Sequence, residues 1–208
     1  MRSRMKTSKL RKDKESGHSL YAIATEARWD NEQLVNRALG GDPVAENAIY
    51  RQHVRYLLNL ATRLTRSVND GDEVVQDTFV MAFRRLDKLD NPDALRPWLT
   101  QILISRVRKR LRGKKLRAFL GLRQVEEDVS LQLCAFHDAR PDLRVELREL
   151  DSVLQQTPTE WRTAWMLHRI EEMTIHETAQ AMSRSVATVK RYIAAVDTAV
   201  QSKRRLTP

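Results

Sequence analysis

The chain of 208 residues contains a single cysteine, Cys134, so it can form neither an internal disulfide nor a thiol-rich metal centre. Glycine and proline are scarce, 6 of each, and aromatic residues make up 6%. That scarcity argues against collagen-like and turn-dense β architectures and in favour of helices. No apolar run approaches the ~18 residues of a membrane span, and no signal peptide is visible. A cytoplasmic protein with no direct membrane insertion is therefore expected. Positive charge, by contrast, is abundant: 37 Lys and Arg against 27 Asp and Glu give a net charge of +10, which points to a polyanionic partner.

Acidic residues are missing altogether from Gln101–Arg123, where Arg106, Arg108, Lys109, Arg110, Arg112, Lys114, Lys115, Arg117 and Arg123 accumulate. Cations complement a helix dipole in its last turn, but this run spans several turns, so a phosphate-facing surface explains it better. Apolar residues are almost missing from Met1–Ser19, which carries Arg2, Arg4, Lys6, Lys9, Arg11, Lys12 and Lys14. Too little surface can be buried there to offset ordering, and residues 1–28 read as a disordered basic arm.

Between these extremes the apolar spacing is helical. Asp30 with Gln33 marks a helix start before Leu34, Val35 and Ala38, and Gly40 and Gly41 stop that helix. Asp42 followed by Pro43 opens a long amphipathic helix reaching Leu64. The polar stretch Ser67–Gly71 reads as the break after it, with Val74, Val75, Phe79, Val80, Phe83 and Leu86 marking a third helix. Asn91 and Pro92 open a fourth, which turns basic in its second half. Periodicity fades between Gly113 and Asp142, read as a linker, and resumes with Val145, Leu147, Leu150, Val153 and Leu154. Thr157–Glu160 has the form of a capping box with proline inside it, and Trp161 and Trp165, four apart on the next helix, read as core. The fold class is all-α: two small helical domains, residues 29–112 and 143–208, joined by a flexible linker, 113–142.

Catalytic chemistry finds little support. His176 and Glu177 start like a zinc-protease helix, but the second histidine would fall at Gln180. Asp70, Asp72, Glu73 and Asp77 suit a helix N-terminus or a protein contact better than a cation, although a metal-dependent nuclease using Asp72, Glu73 and Asp77 is the enzymatic alternative. No phosphate-cradling glycine loop and no nucleophile with a base is present, so a non-enzyme without cofactor or metal is expected.

Thr174 and Glu177 form a capping box ahead of a short helix with small Ala179 and terminal Met182, and Ser185 is a good N-cap for the next. In that second helix Val186, Val189 and Ile193 can pack inward while Ala187, Thr188, Lys190 and Arg191 face out. This suits either a DNA-reading helix-turn-helix or a structural helical pair.

Two segments together resemble a known family. Asp70–Leu89 (DGDEVVQDTFVMAFRRLDKL) followed by Arg96–Arg112 (RPWLTQILISRVRKRLR) resembles region 2 of sigma factors of the extracytoplasmic-function (ECF) group, and Leu147–Ile193 resembles their region 4. The resemblance covers about Asn31 to Arg205. It implies a non-catalytic specificity subunit of bacterial RNA polymerase that recognises promoter DNA. The stretch from Glu73 through Val74, Val75, Gln76 and Asp77 to Phe79 would dock on core polymerase, with Glu73, Gln76 and Asp77 as its polar contacts. Arg96, Trp98, Arg106, Arg108, Lys109, Arg110 and Arg112 would serve the minus-ten element, Trp98 supporting that surface from inside. Ser185, Ala187, Thr188, Lys190 and Arg191 would meet the minus-thirty-five element. An anti-sigma factor is a further partner the family allows.

The chain departs from the family pattern at Thr178, Ala181 and Arg184, where large aliphatic residues are usual, at Ser183, where glycine is usual, and at Ser105 and Lys109. These departures predict a less well packed helix-turn-helix. The alternative function is a stand-alone helix-turn-helix regulator that works without polymerase.

Overall fold

A computed structural model describes residues 29–121 and 141–206. The basic arm and most of the expected linker lie outside the described residues. The elements are α1 (Asn31–Leu39), α2 (Pro43–Thr65), α3 (Val68–Phe83), two short 3-10 turns (Leu86–Lys88 and Pro92–Ala94), α4 (Leu95–Phe119), α5 (Pro141–Gln156), α6 (Thr159–Arg169), α7 (Ile175–Met182) and α8 (Val186–Leu206). Among the described residues there is no strand.

The described residues divide into two compact units, one within Met1–His53 with Phe83–Leu95, the other within Val54–Ala82 with Arg96–Pro208. In the first, α1 buries Leu34, Val35 and Ala38 and packs on both 3-10 turns. Its start is held by the Asp30 carboxylate, which accepts the Gln33 N–H at 2.8 Å. Gly41 takes φ 78°, a left-handed turn that glycine adopts without Cβ strain, and Asp42 then accepts the Val44 N–H at 2.9 Å to open α2. Arg37 closes the turn, bonding Asp42 at 2.8 Å while its guanidinium lies 4.2 Å from the Trp29 ring centroid.

In the second unit, α8 packs on α5, α6 and α7, and α6 packs on α7. The buried apolar set includes Leu154, Ala164, Met166, Leu167, Ala179, Met182, Val189, Ile193 and Val196. Trp165 belongs to this core and donates its Nε1 proton to Asp197 at 2.8 Å. Trp161 does not: it is half-buried and stacks on Tyr192 with centroids 5.8 Å apart.

Three further local expectations are corrected. The stretch Ser67–Gly71 is not a break, because α3 already begins at Val68. Gly71 is buried within the helix, where an added Cβ would come 2.6 Å from Thr62 Oγ1 and 3.1 Å from the Thr62 backbone nitrogen. Its role is close approach of α3 to α2. Alanine improves helix propensity by about 1 kcal/mol, but overpacking against backbone costs about 1 to 3 kcal/mol. Gly71→Ala is therefore expected to lower the urea midpoint; an unchanged or raised midpoint would show that the helices part freely.

The Thr157–Glu160 pattern does not form a capping box. Thr157 donates its hydroxyl to the Val153 carbonyl at 2.8 Å, and α6 starts at Thr159 with no side-chain cap. Finally, the basic helix continues past Gly113 to Phe119. Its end lacks an apolar stripe to read because Leu116, Phe119 and Leu120 are all exposed.

Candidate nucleic-acid and protein interface

The basic helix α4 is fixed to α3 through one buried acid. Asp70, 4% exposed, lies in the first turn of α3 and accepts Arg110 Nε at 2.9 Å, with Lys114 on its other oxygen. Arg110 also reaches Glu73 at 2.5 Å. Burial pushes the Asp70 carboxyl up, but the hydrogen bonds and charges of Lys114 and Arg110 outweigh this and hold it below the usual carboxylate range. Beside this contact lies an open cavity of about 360 Å³, walled by Glu73, Gln76 and Asp77 of α3 and by Arg106, Lys109 and Arg117 of α4.

The residues singled out for protein docking separate into two sets. Glu73, Gln76 and Asp77 are exposed. Val74, Val75 and Phe79 are 3 to 4% exposed, so they hold the helix in place and offer no surface of their own. The neighbouring Val80, 52% exposed, supplies apolar surface that the family segment did not single out.

The cationic set separates likewise. Arg96, Lys109 and Arg112 are exposed, the first with its guanidinium 4.0 Å from the Tyr56 ring centroid. Trp98 is half-buried, and Arg106 is half-buried with its Nε enclosed and unbonded. Arg108 and Arg110 are engaged internally: Arg110 with Asp70 and Glu73, and Arg108 with the Met182 carbonyl at 2.7 Å and Glu160 at 3.2 Å.

The helix-turn-helix is built as its caps foretell. Thr174 Oγ1 accepts the Glu177 N–H at 3.2 Å, and the Glu177 carboxylate accepts the Thr174 N–H at 2.8 Å. Hydrogen bonds from the Thr174 side chain and backbone lower the Glu177 carboxyl pKa. Ser185 Oγ accepts the Thr188 N–H at 3.2 Å to start α8. Val189 and Ile193 are buried and Val186 is half-buried, while Ser185, Ala187, Lys190 and Arg191 are exposed and Thr188 is partly so.

The departures from the family pattern have local compensations. Thr178 is fully buried, but its hydroxyl is satisfied by the Thr174 carbonyl at 2.9 Å. Arg184 points outward into a bidentate pair with Glu160, Nε at 3.0 Å and Nη2 at 2.9 Å. Ser183 occupies the turn with φ 51° and ψ 51°, the left-handed region. Relief of that strain is worth about 1 kcal/mol, partly offset by the added freedom of an unfolded glycine. Ser183→Gly is therefore expected to raise thermal stability by a few tenths to about 1 kcal/mol, read from the melting midpoint; a fall would mean that the serine side chain itself supports the turn.

Sequence reasoning missed Glu160 as an ion-pair hub because it fitted a cap pattern, and it missed Arg63, Arg66, Asp151 and Glu171. Arg63 bonds Glu171, 108 residues away, and Arg66 bonds Asp151, 85 residues away, so no local spacing signals either contact. Among the described residues no group of three or more His, Cys, Asp or Glu side chains is placed to share a metal ion. Among them, too, no helix is long and apolar enough to cross a membrane.

A family model, sigma-70 region 2, matches residues 49–117. The RNA polymerase sigma factor NccH of Alcaligenes xylosoxydans xylosoxydans is 29% identical over 165 residues, covering 79% of this chain and 89% of that protein. The ECF RNA polymerase sigma factor SigM of Mycobacterium tuberculosis is 26% identical over 160 residues, covering 77% of each. The chain thus matches sigma-70 region 2 over residues 49–117 and is similar over more than three quarters of its length to RNA polymerase sigma factors, SigM of the ECF group among them. Among solved structures, the chain is similar to CnrH in complex with the cytosolic domain of CnrY, with a TM-score of 0.57 and 26% identity, covering 84% of this chain and 97% of that one. CnrH is named as an RNA polymerase sigma factor of Cupriavidus metallidurans.

Proposed function

We propose that this protein is a sigma factor that joins core RNA polymerase as a non-catalytic, cytoplasmic subunit and directs transcription initiation through two separate DNA contacts. In this reading residues 29–112 carry region 2 and 143–208 region 4, with α4 running on to Phe119 into the stretch 113–142 expected as linker. The observation that carries the reading is the surface of α3 and α4. An exposed polar ridge of Glu73, Gln76 and Asp77 stands over a buried Val74–Val75–Phe79 base, and the adjoining helix exposes Arg96, Lys109 and Arg112. The ridge suits a protein partner with complementary charge, and the cations suit phosphates of the minus-ten element, single-stranded or duplex.

The exposed N-terminal face of α8, with Ala187, Thr188, Lys190 and Arg191, suits the major groove of the minus-thirty-five element. Two modest DNA contacts reinforce each other when polymerase fixes their spacing. The structure of CnrH with the cytosolic domain of CnrY supports a further partner, an anti-sigma factor.

Fluorescence anisotropy of the labelled protein against bacterial core polymerase tests the reading. Tight binding is expected, weakened at least ~10-fold, or about 1.4 kcal/mol, by Asp77→Arg. DNA affinity without any binding to core polymerase would replace this reading with a stand-alone regulator.

A further inference from the structure

The exposed stripe of α4 changes character toward its end. Ser105, Lys109, Arg112, Leu116 and Phe119 follow one another at steps of three or four, so they share one face, and all five are exposed. The buried face carries Leu103, Ile104 and Val107, each at most 1% exposed. Along its first part the stripe is polar and cationic, which suits phosphates. Over its last turn it is apolar: Leu116 is 60% exposed, Phe119 87% and Leu120 62%, with Lys115 and Arg117 exposed beside them. The helix end itself is well formed. The Leu120 N–H donates to the Leu116 carbonyl at 3.0 Å and the Gly121 N–H to the Ala118 carbonyl at 3.2 Å, with Gly121 left-handed at φ 76°, so backbone bonds hold the three side chains in register.

Single exposed apolar residues are ordinary on a protein surface, but three large ones side by side form a patch, and such patches mark interaction sites. DNA phosphates account for the cations of α4 and leave the patch in water. No acidic residue stands between Gln101 and Arg123, so the partner has to accept apolar and positively charged groups together. The surface of an anionic bilayer does both. Apolar side chains sink ~5–10 Å to the boundary of headgroups and acyl chains, while long Lys and Arg side chains keep their charges at the level of the lipid phosphates. We propose that the end of α4 adsorbs to anionic lipid headgroups, with Leu116, Phe119 and Leu120 as an apolar wedge and Arg112, Lys115 and Arg117 supplying the charge. The contact is interfacial and reversible, since three side chains beside a few cations make a weak anchor and no span.

Co-sedimentation of the full chain with phosphatidylcholine vesicles, prepared with and without phosphatidylglycerol, tests this. Binding is expected only where the anionic lipid is present, and it should weaken as salt rises. Leu116→Ala/Phe119→Ala/Leu120→Ala, which keeps helix propensity, is expected to weaken it at least ~10-fold through lost apolar burial. Phe119→Trp, which keeps a large ring suited to the interface, should retain it. Absence of binding to anionic vesicles would overturn the proposal. So would binding that the triple alanine variant leaves unchanged, because adsorption would then belong to charge alone, the basic run Met1–Ser19 included. Equal binding to both vesicle types would remove the role given to the cations.

A consequence for transcription rests on the sigma-factor reading. Arg112 serves promoter phosphates in that reading and lipid phosphates in this one, so a lipid-bound molecule withholds it from DNA and the two surfaces compete. Duplex DNA added to the vesicle-bound protein should release it, and failure to do so would overturn the competition. Vesicle binding by a protein that does not bind core polymerase would overturn the sigma-factor reading and leave the lipid contact standing.

Discussion

Arg110→Met is expected to destabilise the protein by about 1 to 3 kcal/mol, because it strips a buried carboxylate of one of its two cationic partners. Asp70 is enclosed by α3 and α4, and two cations one turn apart on α4 neutralise it. Lys114 remains in the variant, which is why the loss falls at or below the ~3 kcal/mol floor for a fully orphaned charge. Urea denaturation measures it, and Asp70→Asn/Arg110→Met should recover part of the loss, since the buried carboxylate charge is then removed and only Lys114, whose longer side chain is 16% exposed, stays charged. Equal losses in the single and double variants would mean that Arg110 acts by packing alone.

The same contact sets an acid limit. The folded Asp70 carboxyl lies below its ordinary value of 3.8, because Lys114 and Arg110 outweigh the opposing effect of burial. A depressed folded pKa contributes stability that is fully present above the unfolded value and is lost as pH falls through the folded one. Asp197 behaves with the same sign, its burial outweighed by hydrogen bonds from Arg169 and Trp165. Stability should therefore decline below about pH 4, and Asp70→Asn should flatten that decline. A decline of unchanged steepness would assign the acid sensitivity to other carboxylates.

Local chemistry was legible in the sequence and long-range charge was not. The caps at Asp30, Asp42, Asn91, Thr174 and Ser185 each involve partners two or three residues away, so residue type and spacing were enough to place them. The inward stripe of Val189 and Ile193 followed from helical periodicity for the same reason. Gly71 misled because glycine marks a turn and a close helix crossing equally well, and only the position of Thr62 distinguishes them. Glu160 misled because a capping box and an ion-pair hub ask for the same residue type. The basic run was recognised as a surface, yet nothing in its composition says that Arg108 and Arg110 turn inward while Lys109 and Arg112 remain in solvent.

That division makes the charge on α4 separable by experiment. Alanine at Arg96, Lys109 and Arg112 together is expected to flatten the salt dependence of promoter binding by the holoenzyme. Each lost phosphate contact lowers the log–log slope by ~0.9 on duplex or ~0.7 on single strands. Three lost contacts make the affinity change between 50 and 200 mM salt smaller by roughly 20- to 40-fold. Arg110→Ala should leave the slope alone, since that side chain stays with Asp70 and its loss acts on stability. Arg108→Ala tests whether that side chain keeps its bonds to the Met182 carbonyl and Glu160 in the holoenzyme: an unchanged slope means that it does, and a slope lowered by one contact's worth means that it reaches phosphate. On α8 the expectation differs in kind. Lys190→Ala or Arg191→Ala should cost about 1 to 3 kcal/mol on the cognate minus-thirty-five sequence if either side chain bonds a base edge. Equal losses on every sequence would reduce both residues to phosphate contacts and leave promoter choice to region 2.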